Sequence, residues 1–322
     1  MVVSDKDELR SFLDAGGPLV VVYHWDADGI CAAALVGHET DVDLFVPCGN
    51  QLDDEVAEEV LEANPDRVLV VDVGGLQPGA MAYLACSADV LVVDHHQRDA
   101  PPDGIAFIQR KEPVSLAVHR LLGGPAWIAC AGTRGDKGED YCRRAFPRGD
   151  LRLARSIMGM LNSGKNLKGR DGARVALDAL RSASSPREMA EGRTPGARTL
   201  KGYDRTIEQE TRRLISDVKK NGDKHEDQRL MFYDIHSDLN LSSRVSSILR
   251  WRMKGWIILV YNTSLEPVPL SARTTRKDIN LVELLTEAGF SSCGGHPDAV
   301  GGITSTEELD VVTKRLTELL TK

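Results

Sequence analysis

Four short apolar runs in the first 110 residues constrain this chain more than any other feature. They are PLVVVYH (18–24), VDLFVP (42–47), RVLVVDV (67–73) and DVLVVDHH (89–96). Between them lie GICAAALVGHE (29–39), of helical composition, and an acidic amphipathic segment near 53–63. Strands separated by helices predict βαβ units and a parallel sheet. Functional residues in such sheets collect at the carboxyl ends of the strands. His24, Asp26, Asp72, Asp94 and His95 all fall at or just beyond such ends.

From about 113 to 190 the pattern is mainly helical, with a loop expected at GTRGDKGED (132–140). The polar stretch SSPREMAEGRTPGARTLKGY (184–203) holds prolines and glycines and predicts a linker. A charged helix over 204–220 follows, and then a second α/β pattern begins. LMFYDIH (230–236), WIILVYN (256–262) and VPLSART (268–274) read as strands, and 242–251, 281–289 and 306–320 read as helices. The fold class expected is α/β, a parallel-sheet domain at 1–190 and a smaller α/β domain at 228–322. A linker with a connecting helix (191–227) joins them.

Composition limits the functional classes. The chain has 322 residues, 42% of them hydrophobic and 27% charged, as in a soluble globular protein. It has no apolar run long enough to span a membrane and no signal-peptide pattern at its start, so a cytoplasmic location is expected. Its six cysteines form no CxxC pair, which argues against a structural zinc site and for small buried hydrophobes. The net charge is −8, unevenly spread. Residues 1–110 hold 5 Lys/Arg against 21 Asp/Glu, and residues 111–322 hold 35 against 27. An acidic first region fits a cluster of metal ligands, and a basic remainder fits a polyanionic substrate.

The acidic and histidine residues form four segments. In YHWDADG (23–29), extended backbone would project His24, Asp26 and Asp28 to one side, half a metal cage; a strand–helix loop capped by Asp28 is the alternative. Asp72 ends a strand in VVDVGG (70–75). In VLVVDHHQRD (90–99) one histidine can ligate a metal while its neighbour meets substrate, and Asp94 can orient His95. Asp136 lies in a glycine-bearing segment. A fifth segment, GMLNSGKN (159–166), nearly matches a phosphate-binding P-loop. Asn166 stands where that loop needs Ser or Thr, and a helix rather than a strand precedes it, so Gly164 reads as a helix C-cap.

In order and separation, the four segments resemble the motifs of the DHH phosphoesterase family. CGGHPDAVGG (293–302) is similar to the GGHxxAxGG motif of the DHH-associated C-terminal domain, and SART (271–274) resembles that domain's Ser-x-Arg strand. The resemblance implies two divalent ions, most often manganese and sometimes magnesium. His24, Asp26 and Asp72 would hold one ion. Asp28, Asp72, His95 and Asp136 would hold the other, with Asp72 bridging. Asp72, Asp94 and His96 are then the catalytic candidates, and His96 would touch a phosphate oxygen. Arg273 and His296 would grip substrate across a cleft between the domains, with Gly294, Gly295, Gly301 and Gly302 letting backbone amides approach it; a surface salt bridge is the alternative for Arg273.

The HxDxDG form looks most like RecJ-type nucleases, especially compact archaeal ones. The implied activity is exonuclease action on single-stranded DNA or RNA, releasing nucleoside 5′-monophosphates. The alternatives are a phosphodiesterase of short oligonucleotides (nanoRNA) or cyclic dinucleotides, or a replication-complex component of the Cdc45 type. A helicase or replisome partner is compatible with each.

Overall fold

The computed structural model describes residues 4–96, 105–146, 151–290 and 292–321. The chain forms two compact units, Met1–Arg205 and Thr206–Lys322. In chain order the first unit runs α1 (Asp5–Asp14), β1 (Leu19–His24), α2 (Ala27–Glu39), β2 (Leu44–Cys48), β3 (Gln51–Leu52), α3 (Asp54–Glu62), β4 (Arg67–Val71), β5 (Gly75–Leu76), α4 (Pro78–Ala85), β6 (Asp89–Asp94) and β7 (Ala106–Gln109). It continues through α5 (Val114–Leu122), α6 (Ala126–Ala145), α7 (Leu151–Ser182) and α8 (Pro186–Glu191) into α9 (Pro195–Asn221), which extends into the second unit.

The main sheet has the order β2-β1-β4-β6-β7, and every pairing in it is parallel. Its strands are apolar on both faces, as a sheet covered on both sides requires. On β1, Leu19, Val21 and Tyr23 join the core under α2, α5, α6 and α7, while Val20 and Val22 join the core under α3 and α4. The order reverses between β1 and β4. Such a switch point opens a crevice at the strand carboxyl ends, and the residues after His24 and Val71 lie at it.

Arg67 opens β4 and is 6% exposed. Its guanidinium donates to the carbonyls of Phe12, Leu13 and Gly17 at 2.7, 2.6 and 2.6 Å. It therefore clamps the C-terminus of α1, where unpaired carbonyls and the helix dipole favour a cation. Arg67→Met should lower unfolding stability by about 2–4 kcal/mol, because three carbonyls lose a charged donor in a dry site. Denaturant titration checks this. A loss under about 0.5 kcal/mol would mean the clamp adds nothing to stability.

The second unit carries β8 (Asp223–His225), β9 (Leu230–Asp234), α10 (Ser242–Arg252), β10 (Ile257–Tyr261), β11 (Val268–Thr274), α11 (Leu281–Ala288), β12 (Cys293–His296), β13 (Ala299–Thr304) and α12 (Thr306–Leu319). Its sheet order is β12-β13-β11-β10-β9-β8, antiparallel except for β9–β10. The α/β architecture of both units agrees with the expectation from sequence.

Three local expectations are corrected. The loop expected at 132–140 lies within α6. Gly132 and Gly135 serve close packing: a Cβ on Gly132 would lie 2.4 Å from Ser115 Oγ, and one on Gly135 would lie 3.0 Å from Ala27 Cβ. The stretch 184–203 is largely α8 and the start of α9. Pro186 and Pro195 open these helices, where proline is tolerated, and Gly192 closes α8 in the left-handed region. Gly164 sits inside α7, not at a cap. That helix is two helices joined at Gly169 (φ +56°), and a Cβ on Gly164 would lie 2.7 Å from the Gly172 carbonyl.

Four of the six cysteines are buried, Cys293 is half-buried and Cys86 is exposed. Among the described residues no helix is long and apolar enough to cross a membrane.

Candidate metal centre

The site starts where β1 stops. Asp26 is the N-cap of α2, and its Oδ1 accepts from the N–H groups of Asp28 (3.0 Å) and Gly29 (3.2 Å). A Cβ on Gly29 would lie 2.3 Å from the His24 carbonyl, so glycine is needed here for close packing of the helix start on the strand end. The cap ends the strand-like alternation after Asp26. Asp28 therefore does not join His24 and Asp26 on one side, and it is not the cap of its own helix. It turns inward, 2% exposed. Its Oδ2 accepts from Val114 N–H at 2.7 Å, and its Oδ1 accepts from Ser115 N–H at 3.1 Å and from the Ser115 hydroxyl. Asp28 thus caps α5, whose own N-cap residue, Pro113, makes no side-chain cap bond.

Asp72 lies at the centre of the cluster. It follows β4 with φ +64°, a left-handed conformation that aspartate tolerates better than most residues, and it is 2% exposed. Its Oδ2 is 3.9 Å from His24 Nδ1 and its Oδ1 is 3.3 Å from His95 Nε2. His24 Nδ1 is also 3.1 Å from Asp26 Oδ1. The second nitrogen of His95, Nδ1, is 3.7 Å from Asp136 Oδ2. One carboxylate therefore reaches two histidine-bearing groups, one toward each end. Asp136 arrives on α6 because Gly135 lets that helix approach Ala27.

Asp94, fully buried at the end of β6, orients the other histidine of its motif. Its Oδ1 lies 2.7 Å from His96 Nδ1 and accepts from the backbone N–H groups of His95 (2.8 Å) and His96 (3.3 Å). The expected ring contact from Asp94 to His95 is replaced by one to His96, because His95 turns both ring nitrogens toward Asp72 and Asp136. The His96 ring also packs on Gly74, where a Cβ would lie 3.1 Å away.

Electrostatics mark the centre as short of positive charge. Burial pushes the Asp72 carboxyl well above its ordinary range, and Asp28, Asp26, Asp94 and Asp136 push it further. Burial also raises Asp28, to about 7, against the Ser115 hydrogen bond and with help from Asp26 and Asp136. Asp26 behaves oppositely: burial raises it, but His24 and then Lys165 pull it below the carboxylate range. His96 is raised, first by its bond to Asp94 and against the effect of burial.

Among the described residues, two buried polar atoms here, Asp72 Oδ1 and His24 Nδ1, have no hydrogen bond of good geometry despite their close neighbours. Asp72, Asp94, His95 and His96 each offer an atom within 4.8 Å of the others, and so do His24, Asp26 and Asp72. Orphaned acceptors among mutually repelling carboxylates fit a divalent cation. Mixed imidazole and carboxylate donors suit manganese better than an all-oxygen magnesium site would.

In the second unit the glycine motif forms the β12–β13 hairpin. Cross-strand pairing aligns His296 with Ala299 and Ala299 with Arg273, and in the next row Gly294 with Gly301 and Gly301 with Ser271. The period of two puts both rows on one face. Nothing lies within 4 Å of a Cβ built on Gly294 or Gly301, so they form a bare floor beside Arg273 and the exposed His296. Gly295 and Gly302 serve the hairpin itself, since a Cβ on either would lie 2.3 Å from a neighbouring carbonyl. Arg273 donates to the carbonyls of Ala272 (2.9 Å) and Val300 (2.8 Å) and to Ser243 Oγ (3.0 Å). Among the described residues it meets no carboxylate within ion-pair distance.

Residues 18–125 match the model of the DHH family, N-terminal domain. This region is similar to a DHH domain. It contains β1 to α5, and with them five of the six expected ligands. RecJ from Thermus thermophilus, solved with Mn²⁺, superposes at TM-score 0.73 with 20% identity, over 98% of this chain and 54% of that one. The chain thus spans about half of that RecJ. An exonuclease RecJ bound to manganese gives a TM-score of 0.64 at 18% identity, over 98% and 93% of the two chains. A pGpG-specific phosphodiesterase from Vibrio cholerae gives 0.55 at 15%, over 94% and 99%. No curated protein matches the chain. At these identities the solved structures establish the fold alone.

Proposed function

We propose that this chain is a two-metal phosphodiesterase that degrades single-stranded DNA or RNA from an end, releasing nucleoside 5′-monophosphates. The observation that carries the reading is the position of Asp72, buried between His24 and His95 with an oxygen toward each. His24, Asp26 and Asp72 would hold one divalent ion, and Asp28, Asp72, His95 and Asp136 the other. Such ions, bound there, supply Lewis-acid stabilisation of phosphoryl charge and a nucleophile at neutral pH. The chain's own residues do the rest. Asp94 fixes His96 through Nδ1, which leaves Nε2 to meet a phosphate oxygen. Asp28 ties the N-terminus of α5 to the first motif and so holds that motif in place.

In the second unit Arg273 and His296 bind substrate phosphates over the Gly294–Gly301 floor. The guanidinium is pre-oriented by two carbonyls and a hydroxyl and needs an anion. Burial and the neighbouring Arg250 lower the Arg273 pKa, but an arginine keeps its charge.

The likeness to a pGpG-specific phosphodiesterase over nearly its full length supports a second reading, in which the substrate is a dinucleotide. Strand length separates the two. End-labelled DNA and RNA of two to fifteen nucleotides, with Mn²⁺ or Mg²⁺, should yield mononucleotides from every length. Affinity should rise with length and fall with salt, at a slope on the order of −0.7 per phosphate contacted. Arg273→Ala should weaken capture of a ten-nucleotide strand about tenfold without loss of bound metal. If affinity and slope level off beyond two or three nucleotides, the dinucleotide reading replaces the polymer one.

A further inference from the structure

The near-P-loop segment 159–166 is helical, and its lysine lies on the helix stripe that touches the first metal-binding motif. Met158, Asn162, Lys165 and Gly169 are spaced by four, three and four residues, one stripe of the first half of α7 and its turn. Three of the four touch the first motif or its support. Met158 lies against Gly135, next to Asp136; a Cβ there would be 3.5 Å from Met158 Cγ. Asn162 Oδ1 accepts from Ala27 N–H at 3.2 Å, between Asp26 and Asp28, and Asn162 Nδ2 donates to Met158 Sδ at 3.3 Å. Gly169 lies beside the indole of Trp25, 3.9 Å from a Cβ built on the glycine. Lys165 stands between Asn162 and Gly169 on this stripe.

Arg170 and Arg174, the first two arginines that follow Gly169, are occupied. Arg170 donates to the Pro47 carbonyl and pairs with Glu59 and Glu55, and Arg174 pairs with Glu59 and Asp171. Lys165 is half-buried, and among the described residues it has no carboxylate within ion-pair distance. A lysine normally extends its ammonium into water along an apolar stem. A half-buried lysine on the helix stripe that supports the first motif, with no carboxylate paired to it among the described residues, is placed for an anion that enters with the metal.

We propose that Lys165 is a substrate-binding residue of this centre that donates to a phosphate oxygen of the phosphodiester held there. The assignment rests on the phosphodiesterase reading and adds a contact from the metal-bearing unit itself. Lysine suits the task as a mobile point charge with three donors, whereas a bidentate clamp would favour arginine.

The test compares wild type, Lys165→Met and Lys165→Arg in Mn²⁺ on the 5′-phosphorylated thymidine dinucleotide and on its slowly cleaved phosphorothioate analogue. Lys165→Met should raise KM for the dinucleotide and Kd for the analogue at least about tenfold, with kcat within threefold. Mn²⁺ affinity and melting temperature should stay unchanged, and Lys165→Arg should recover most of the affinity. A folded, Mn²⁺-replete Lys165→Met protein with wild-type KM and Kd overturns the assignment, as does a wild type that fails to bind the analogue. If wild type binds the analogue but cleaves no phosphodiester, the hydrolytic reading falls, and the Kd comparison still decides the role of Lys165.

Discussion

Asp72→Asn is expected to lower phosphodiester hydrolysis by roughly a thousandfold or more, while the metal-free variant melts at a higher temperature than wild type. The two halves have one cause. Asp72 is the carboxylate that lies between His24 and His95, so its loss removes a donor from both proposed ions at once. Without metal the same group is a liability. It is buried among Asp28, Asp26, Asp94 and Asp136, and its carboxyl is pushed well up in consequence. A neutral amide of the same shape relieves that repulsion. Asparagine is the informative substitution because residue 72 has φ +64°, which asparagine adopts readily and alanine does not. Turnover of an end-labelled strand and thermal melting with and without Mn²⁺ should be measured together. Wild type should gain melting temperature on adding Mn²⁺ and Asp72→Asn should gain little, since ligand binding stabilises only the state that binds. A variant that stays active, or that keeps the full Mn²⁺ shift, would remove Asp72 from the centre of the site.

The sheet and the strand-end positions of the site were legible because both depend on local sequence. A strand-length run with four or more consecutive apolar residues that stops at Asp or His can be read without tertiary knowledge. RVLVV before Asp72 and VLVV before Asp94 are such runs. The direction of Asp28 was not legible. It depends on Asp26 taking the cap position, which switches the backbone from extended to helical at Ala27. The partner of Asp28, the N-terminus of α5, is 86 residues away in sequence. Asp136 presents the same difficulty in another form. Glycines at 132 and 135 read locally as a loop, yet here they let one helix touch another.

The prolines at 186 and 195 carried a signal that was available. Ser185 and Thr194 precede them, and each hydroxyl accepts a cap bond from an N–H three residues on, so the pair Ser/Thr-Pro marked helix starts and not a linker. The choice of His96 rather than His95 as the partner of Asp94 follows from ring orientation, which a dipeptide does not encode. Lys165 was visible only as part of a motif that fails. Its helical stripe becomes meaningful once Asn162 is seen bonded to the first motif.

Metal-free protein is expected to lose stability as pH rises from about 5 to about 7.5, the reverse of what most carboxylates produce. Asp28 drives the effect. Burial raises it from 3.8 to about 7 in the folded state, opposed by Ser115 and reinforced by Asp26 and Asp136. Between those values the native protein holds a proton that the unfolded chain has released, so stability falls with rising pH. The contribution is complete below the unfolded value and is lost as pH passes the folded one. Asp72 has the same sign, being raised chiefly by burial. So does His96, raised chiefly by Asp94, whose contribution is present below pH 6.5 and lost above its folded value. Asp26 has the opposite sign. Its lowered carboxyl stabilises above the unfolded value of 3.8 and loses that stability as pH falls further, which lies outside this window. The carboxylates lowered elsewhere, such as Glu112 beside Arg110, likewise act below about pH 4.5. A three-unit shift sets the scale for Asp28 at roughly 4 kcal/mol at most. Mn²⁺ should reverse the trend, because its ligands bind deprotonated and its stabilisation therefore grows with pH. Thermal melting in chelator and in Mn²⁺ at pH 5, 6, 7 and 8 tests both slopes, and Asp28→Asn should flatten the first. A chelated wild type whose melting temperature holds level or climbs across pH 5 to 7.5 would show that the carboxylates are not crowded as described, and the electrostatic argument for the metal centre would fail with it.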